Sequence, residues 1–197
     1  MEKEIKIGNR KDLSLANRIL ENPRNRLIIL GTIFGWGSDL FSIALFGAWR
    51  YNNIFLTLAI WPVIWITGYY IGDVVKFLIW FVRGSEQNIG KLPKIIGYGA
   101  VGLTGIAAEI LSVNSGNLNY STKASYAVLI NGNPLPVIAL IGWPITALLV
   151  CIISIELYSW FNLKWNTVKT FIATSLCTFL SLIVLNLLYV FTAGLNT

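Results

Sequence analysis

The sequence predicts an all-α, polytopic bundle of about five transmembrane helices, within a range of five to seven. Of its 197 residues, 55% are hydrophobic and only 12% are charged, whereas about a quarter of the residues of a soluble domain are charged. Five apolar runs approach the roughly 20 residues that span a bilayer core. These runs cover residues 27–49, 54–71 (extending to 82), 95–113, 137–157 and 171–191.

The amino-terminal segment 1–26 is polar and basic, and it sets the expected orientation. It carries seven of the 15 lysine and arginine residues. Other basic residues lie between runs two and three and between runs four and five, while the opposite side has Arg50 and Lys123. The positive-inside rule then predicts a cytoplasmic amino terminus in the cell membrane. The basic charge indicates topology and contact with lipid headgroups, and no nucleic-acid partner is predicted.

One segment, residues 114–136, does not fit the five runs. It is rich in asparagine and glycine and contains an apolar island at 124–130, which is too short to cross a bilayer. We expect a re-entrant piece or an outer cap, and six or seven spans would follow if the island crossed.

A series of four landmarks occurs twice in the same order: an acid, Gly-x-x-x-Tyr, Trp-Pro and a second acid. The members are Asp39, Gly47, Tyr51, Trp61, Pro62 and Asp73 in the first half, and Glu109, Gly116, Tyr120, Trp143, Pro144 and Glu156 in the second. We infer that the transmembrane domain, 27–197, holds a duplicated helix pair, 27–83 and 95–162, followed by a terminal helix, 165–194. Both halves start on the same side, so the repeat is parallel.

Asp39 and Glu109 are the candidate catalytic residues. A charged group in hydrocarbon costs at least about 2.5 kcal/mol on insertion scales, so an acid kept there normally has a partner or a function. From the helical rise, both acids lie past the middle of their helices without a basic residue at similar depth. Asp73 and Glu156 fall near the inner interface and are secondary acids, and Lys76 indicates an ion pair with Asp73.

The helix that carries Glu109 has a stripe of small and polar residues. At helical spacing, Tyr98, Gly102, Gly105, Glu109 and Ser112 share one face, where small residues allow another backbone to approach. Glu109 is therefore predicted to face protein or a cavity.

The chemistry available to this chain is restricted because it has no histidine. That excludes His-ligated metals and Ser-His-Asp catalysis within the chain alone, and we predict no metal and no cofactor. Burial favours a neutral carboxyl group, and a protonated acid can donate its proton to an alkene while aromatic rings stabilise the cation. The substrate-binding candidates are Trp36, Tyr51, Trp61, Tyr98, Tyr120 and Trp143. Each is also explained by core packing or a place at the membrane interface.

A progression in the second half resembles a known family. Glu109, Leu111, Gly116 and Tyr120 precede Gly132-Asn133-Pro134-Leu135-Pro136 and Gly142-Trp143-Pro144. This progression resembles that of membrane carotenoid-biosynthesis proteins, which include bisanhydrobacterioruberin hydratase, and the membrane lycopene cyclases are similar in using acids without metal. The resemblance covers about residues 100–150, with a fainter match at 34–65. It implies acid-catalysed hydration or cyclisation of an isoprenoid, with Glu109 and Asp39 as acids and a membrane lipid or isoprenoid as ligand.

A second resemblance keeps other functions open. Tyr120-Ser121-Thr122-Lys123-Ala124-Ser125, after a glycine-rich helix, is similar to a stretch of trimeric intracellular cation channels, which implies a pore. The alternatives to a lipid-modifying enzyme (a lyase, hydratase or cyclase) are therefore a small channel or transporter and a structural subunit of a membrane complex. The fifth run has enough polar residues to pack against a partner helix, from a homo-oligomer or another membrane subunit. These residues are Thr174, Ser175, Thr178, Ser181 and Asn186.

Overall fold

The computed structural model describes residues 15–83 and 92–192, and most of this part is helical. Five helical spans are long and apolar enough to cross a membrane, so the chain is an integral membrane protein, and the predicted all-α bundle is confirmed. The helices are α1 (Leu15–Glu21), α2 (Pro23–Phe46), α3 (Ile54–Arg83), α4 (Leu92–Asn114), α5 (Val137–Cys151), α6 (Tyr158–Asn162) and α7 (Thr167–Thr192).

The boundaries of α2 follow from its sequence. Pro23 stands at the first helical position, where its missing N–H group costs nothing, and the side-chain oxygen of Asn22 accepts a hydrogen bond from the Arg24 backbone nitrogen at 3.0 Å. The helix ends at Gly47, whose φ of 56° is left-handed and suits a residue without a Cβ atom. Gly116, two residues after the end of α4, is also left-handed, with a φ of 71°.

A π-helical segment, Ile152–Leu157, joins α5 to α6, and the whole forms one span. A wider turn leaves carbonyl groups without their usual helical partners. The Arg26 Nε atom donates a hydrogen bond to the Ser154 carbonyl oxygen at 3.0 Å. The turn therefore connects the start of α2 to the end of the fourth span.

Four short strands lie at one end of the bundle. They are β1 (Trp49–Tyr51), β2 (Leu118–Tyr120), β3 (Ala127–Ile130) and β4 (Asn133–Pro136), and β3 and β4 form a hairpin. We refer to this end as the cap end, and to the opposite end, where α2 begins, as the base end. Residues 114–136 thus form a cap, one of the two expected arrangements, and do not add a sixth or seventh span.

The two repeats meet at the antiparallel pair of β1 and β2. The opposed residues are Trp49 and Tyr120, Arg50 and Asn119, and Tyr51 and Leu118. The repeat makes Tyr51 equivalent to Tyr120, Arg50 to Asn119 and Trp49 to Leu118. Exchanging the two repeats therefore leaves the pairing of the strands unchanged. An approximate two-fold axis therefore passes through the pair of Arg50 and Asn119.

Two backbone hydrogen bonds beside these strands obey the same axis. The Asn52 nitrogen donates to the Asn117 oxygen at 2.8 Å, and the Ser121 nitrogen donates to the Ala48 oxygen at 3.1 Å. Under the repeat these two bonds are equivalent. Because α2 and α4 both run toward the cap end while α3 and α5 both run away from it, the repeat is parallel, as predicted.

The helix α7 packs against the repeats along a buried face. Thr170, Thr174 and Thr178 are fully buried, and the hydroxyl groups of Thr174 and Thr178 donate to carbonyl oxygens one turn earlier at 2.9 and 2.8 Å. Asn186 donates to the Ser38 carbonyl oxygen of α2 at 3.1 Å. The polar groups of Thr174, Thr178 and Asn186 are therefore used inside the chain, while contact between the fifth run and a partner helix stays a prediction.

Candidate functional site

A cavity of about 180 Å³ lies between the two repeats and α7 in the cap half of the bundle. Its wall includes side chains from α2, α3, α4, α5 and α7 and from β1 and β2. Six predicted site residues line this one cavity: Asp39, Tyr51, Trp61, Glu109, Tyr120 and Trp143. The structure therefore brings together both candidate catalytic acids and four of the six aromatic candidates.

The first repeat contributes an acid held by two donors, which we refer to as the Asp39 cluster. Asp39 lies on α2 and is buried. Its Oδ2 atom accepts hydrogen bonds from the Tyr51 hydroxyl group of β1 and from the Trp61 Nε1 atom of α3, both at 2.8 Å. A buried carboxyl group needs such donors because water no longer reaches it.

The second repeat contributes the equivalent set, the Glu109 cluster. Glu109 is buried on α4. The Tyr120 hydroxyl group of β2 donates a hydrogen bond to its Oε1 atom, and the Trp143 Nε1 atom of α5 donates to its Oε2 atom at 3.1 Å. The acid, tyrosine and tryptophan landmarks of the sequence repeat are thus partners in space.

One glycine in each repeat makes room for the tryptophan ring. A Cβ atom added at Gly35 would lie 2.3 Å from the Trp61 ring, and one added at Gly105 would lie 2.2 Å from the Trp143 ring. Each glycine stands four residues before the acid that its tryptophan binds. Sequence reasoning placed Gly105 on the inward stripe of α4 but missed that Gly-x-x-x-acid is a further element of the repeat.

The two clusters are in direct contact through their indoles. The Trp61 and Trp143 ring centroids are 5.0 Å apart with an angle of 40° between the planes. Burial raises the pKa of the Tyr51 hydroxyl group well above its usual value, and the Asp39 and Glu109 carboxyl groups raise it further. Tyr51 therefore remains a hydrogen-bond donor over the ordinary pH range.

The clusters differ in how their donors are distributed. Both donors reach one oxygen of Asp39, Oδ2, whereas each oxygen of Glu109 accepts one donor. A proton on the Oδ1 atom of Asp39 therefore does not point at the hydrogen of Tyr51 or Trp61, whereas a proton on Oδ2 would. Glu109, with a donor on each oxygen, is arranged as an acceptor, which suits a carboxylate.

The structure places two aromatic candidates away from the cavity. Trp36 donates through Nε1 to the Leu58 carbonyl oxygen at 3.1 Å, and it is absent from the cavity wall. The Tyr98 hydroxyl group donates to Glu156 Oε1 at 3.1 Å, and Tyr98 lines a separate cavity of about 220 Å³ at the base end. A helical stripe fixes a shared face but not a shared depth, since Tyr98 stands about 16 Å before Glu109 along α4.

The secondary acids lie at the base end, where the sequence predicted them. The Lys76 Nζ atom is 3.0 Å from Asp73 Oδ1, in a half-exposed ion pair one helical turn apart. This contact is the interfacial pair expected from the spacing. Glu156 accepts from Tyr98 at the same end and is not part of the wall of the cavity that Asp39 and Glu109 line.

Three polar or aromatic wall residues, Trp49, Asn186 and Tyr189, were not among the predicted site residues. Tyr189 packs edge-to-face on Trp49 with ring centroids 5.4 Å apart, and its ring lies 5.9 Å from that of Tyr120. Asn186 and Tyr189 belong to α7, which has no counterpart in the repeat. The landmarks therefore gave no signal for them beyond the polar content of the fifth run.

The described residues contain no group of three His, Cys, Asp or Glu side chains arranged to hold a metal ion. No family model, curated protein or solved structure matches this chain.

Proposed function

We propose that this integral membrane protein is a metal-free enzyme that acts on an isoprenoid lipid by acid-catalysed hydration or cyclisation. The observation that carries the proposal is that Asp39 and Glu109, each held by a tyrosine and a tryptophan, line one cavity. A charged or ionisable group within a membrane span normally marks a functional site.

The distribution of hydrogen bonds supports different roles for the two acids. Asp39 donates the proton on Oδ1 to an alkene carbon, and the substrate becomes a carbocation. The faces of Trp61 and Trp143 stabilise this cation, since aromatic rings attract positive charge. In hydration, a water molecule adds to the cation and Glu109 accepts a proton from that water. In cyclisation, ring closure moves the positive charge to another carbon, and Glu109 accepts a proton from a carbon next to this new cationic centre. Transfer of this proton back to Asp39 completes the cycle.

The packing between the cavity and the base end favours a ligand site that is closed toward the base end over a pore. Leu27, Trp65, Val101, Val150 and Cys151 belong to one buried apolar cluster that lies on the base side of the acids. A channel through one protomer needs a continuous polar path. The apolar cluster interrupts such a path between the two cavities.

The proposed reaction is tested by expression in a bacterial host that accumulates lycopene, and in hosts that accumulate shorter linear isoprenoids. Lipid extracts are compared by liquid chromatography and mass spectrometry. Hydration adds the mass of one water, whereas cyclisation keeps the mass and changes the retention time. We expect one of these products with the wild-type chain and with the control Asp73→Asn, and we expect it to be lost with Asp39→Asn. Equal product from the wild type and Asp39→Asn contradicts the proposal.

We also propose that the base end faces the cytoplasm. Arg24, Arg26, Lys164 and Lys169 are described at that end, whereas the cap end has Arg50 and Lys123, and basic loops stay inside. With the two native cysteines replaced, Lys123→Cys should react with a membrane-impermeant maleimide in intact cells, and Lys164→Cys should react only after lysis. The reverse pattern contradicts this orientation.

A further inference from the structure

The cavity contains a polar group that the proposed reaction does not use, the hydroxyl group of Tyr189. Tyr189 is 8% exposed, lines the cavity, and its hydroxyl oxygen has no hydrogen-bond partner. Buried hydroxyl groups are nearly always paired, because a lost hydrogen bond to water must be replaced. A free and buried hydroxyl group in a cavity wall is thus available to a ligand.

The position of Tyr189 is fixed by its neighbours. Its ring packs edge-to-face on Trp49 at 5.4 Å and lies 5.9 Å from the Tyr120 ring. Tyr120 in turn binds Glu109. Tyr189 therefore stands next to the Glu109 cluster as a separate group, not as another donor to the acid.

A second polar group lies one turn earlier on the same helix. Asn186 lines the cavity and donates from its side-chain nitrogen to the Ser38 carbonyl oxygen at 3.1 Å. That hydrogen bond does not use the amide oxygen, which is an acceptor. Tyr189 and Asn186 thus offer a donor and an acceptor in one cavity wall, and a ligand hydroxyl group both accepts and donates.

The wall of the cavity reaches the outside of the bundle between α5 and α7. Ile145 of α5 and Leu188 of α7 both line the cavity, yet they are 42% and 53% exposed. In a membrane-spanning bundle, exposed apolar faces at this depth contact lipid chains. A ligand with a long apolar chain can therefore pass between these two helices without leaving the bilayer.

We propose that the cavity takes a single-chain isoprenoid alcohol from the membrane between α5 and α7, with the ligand hydroxyl group held by Tyr189. The proposal deepens the proposed function, on whose cavity it rests, by naming the ligand class. An alcohol also fits the chemistry, because hydration of an alkene produces one. The apolar chain then occupies the gap beside Ile145 and Leu188.

Binding is tested with the full chain in nanodiscs and a farnesol probe that carries a diazirine at the end opposite its hydroxyl group. After irradiation, mass spectrometry of peptides should locate the label on α5 and α7. Unlabelled farnesol should compete better than farnesene, the related hydrocarbon, by roughly three- to ten-fold, the effect of one hydrogen bond. Equal competition by the two compounds overturns the proposal, as does labelling that avoids both helices.

The role of Tyr189 is tested with a matched pair of variants. Tyr189→Phe should remove the preference for farnesol while farnesene competes as before. Tyr158→Phe is the control, because Tyr158 is another buried tyrosine whose hydroxyl oxygen has no partner, and it lies outside the cavity wall. If both variants fold as well as the wild type and Tyr189→Phe still prefers farnesol to farnesene, Tyr189 does not hold the ligand hydroxyl group.

Access is tested with a bulky side chain at the proposed gap. Leu188→Trp should slow labelling several-fold, whereas Leu180→Trp should not, since Leu180 is exposed on α7 but does not line the cavity. Asp39→Asn should keep both the label and the preference for farnesol. If Asp39→Asn still forms product while labelling behaves as expected, the proposed reaction is wrong and the proposed ligand site is supported. If the wild-type chain forms product but is not labelled on α5 or α7, the proposed ligand site is wrong and the proposed reaction is supported.

Discussion

The Asp39 cluster and the Glu109 cluster use the same three side-chain types from equivalent places, yet they hold their acids differently. In the first, tyrosine and tryptophan both donate to one oxygen, and in the second they donate to separate oxygens. The acid is one methylene longer in the second repeat, and the glycine that follows is one residue nearer. A duplicated frame can therefore hold two acids in unlike hydrogen-bond environments through a small change at each carboxyl group.

The largest expected effect comes from removing the proposed proton donor. Asp39→Asn should lower product formation by about 10²- to 10⁴-fold, the usual contribution of general acid catalysis, because an amide has no acidic proton to give. Product yield in the isoprenoid-producing host is the measurement. Glu109→Gln should also lose product, and Asp73→Asn at the base end serves as the control. Wild-type yield from Asp39→Asn would contradict any catalytic role for Asp39.

The next effect concerns the glycines under the two indoles. Gly35→Ala and Gly105→Ala should each lower the free energy of unfolding by about 1–3 kcal/mol, because the new methyl group overlaps a tryptophan ring. Gly37→Ala in α2 and Gly99→Ala in α4 are matched controls, since a Cβ atom at either meets nothing within 4 Å. Thermal unfolding in detergent reports the shifts. If only one of the two variants loses stability, the contacts of the two indole rings with their glycines are not equivalent.

A smaller effect should separate the tyrosines. Tyr120→Phe removes the donor to Glu109 Oε1, whereas Tyr51→Phe leaves Trp61 on the same oxygen of Asp39. Each loss should cost about 1–2 kcal/mol, and we expect Tyr120→Phe to cost more. Chemical denaturation in detergent compares them, with the exposed Tyr126→Phe as control. The reverse order would contradict the different donor arrangements.

The smallest effect lies at the two-fold axis. Asn119→Arg places two arginines opposite each other in adjacent strands, which should cost about 0.2–1 kcal/mol. Arg50→Asn gives a symmetric neutral pair and should stay within about 0.5 kcal/mol of the wild type. Because salt screens the repulsion between exposed charges, the loss of unfolding free energy in Asn119→Arg should decrease as salt is added. A loss that does not change with salt concentration would not come from charge repulsion.

Much of the fold could be predicted from hydrophobic run length and from the repeated landmarks. Five runs gave five spans, and the positions of Asp39 and Glu109 in matching helices predicted that both face inward. Lys76, at i+3 from Asp73, predicted their ion pair because side chains three residues apart on a helix are neighbours. These are properties of local spacing, which a sequence displays directly.

The missing parts depend on tertiary contacts that spacing does not encode. The strands β1 and β2 have three residues each, too few to show alternation, and they form because the repeats meet there. Tyr98 shares a helical face with Glu109 but lies at another depth, and Tyr189 reaches the cavity from a helix outside the repeat. The hydrogen bonds to the individual carboxyl oxygens depend on the positions of six separate elements: α2, β1 and α3 for Asp39, and α4, β2 and α5 for Glu109.

The pair of Arg50 and Asn119 on the two-fold axis has an evolutionary consequence. Had the repeats begun as two identical chains that associated in the same way, each would have placed this residue against its own copy. An ancestral arginine would have faced an arginine, and like charges in direct opposition weaken a strand pair, whereas an ancestral asparagine would have formed a neutral pair. Fusion of the two genes removes that restriction, because the halves can then mutate independently. The mixed pair, like the unequal acids below it, requires two halves that differ in sequence, which two identical chains do not provide.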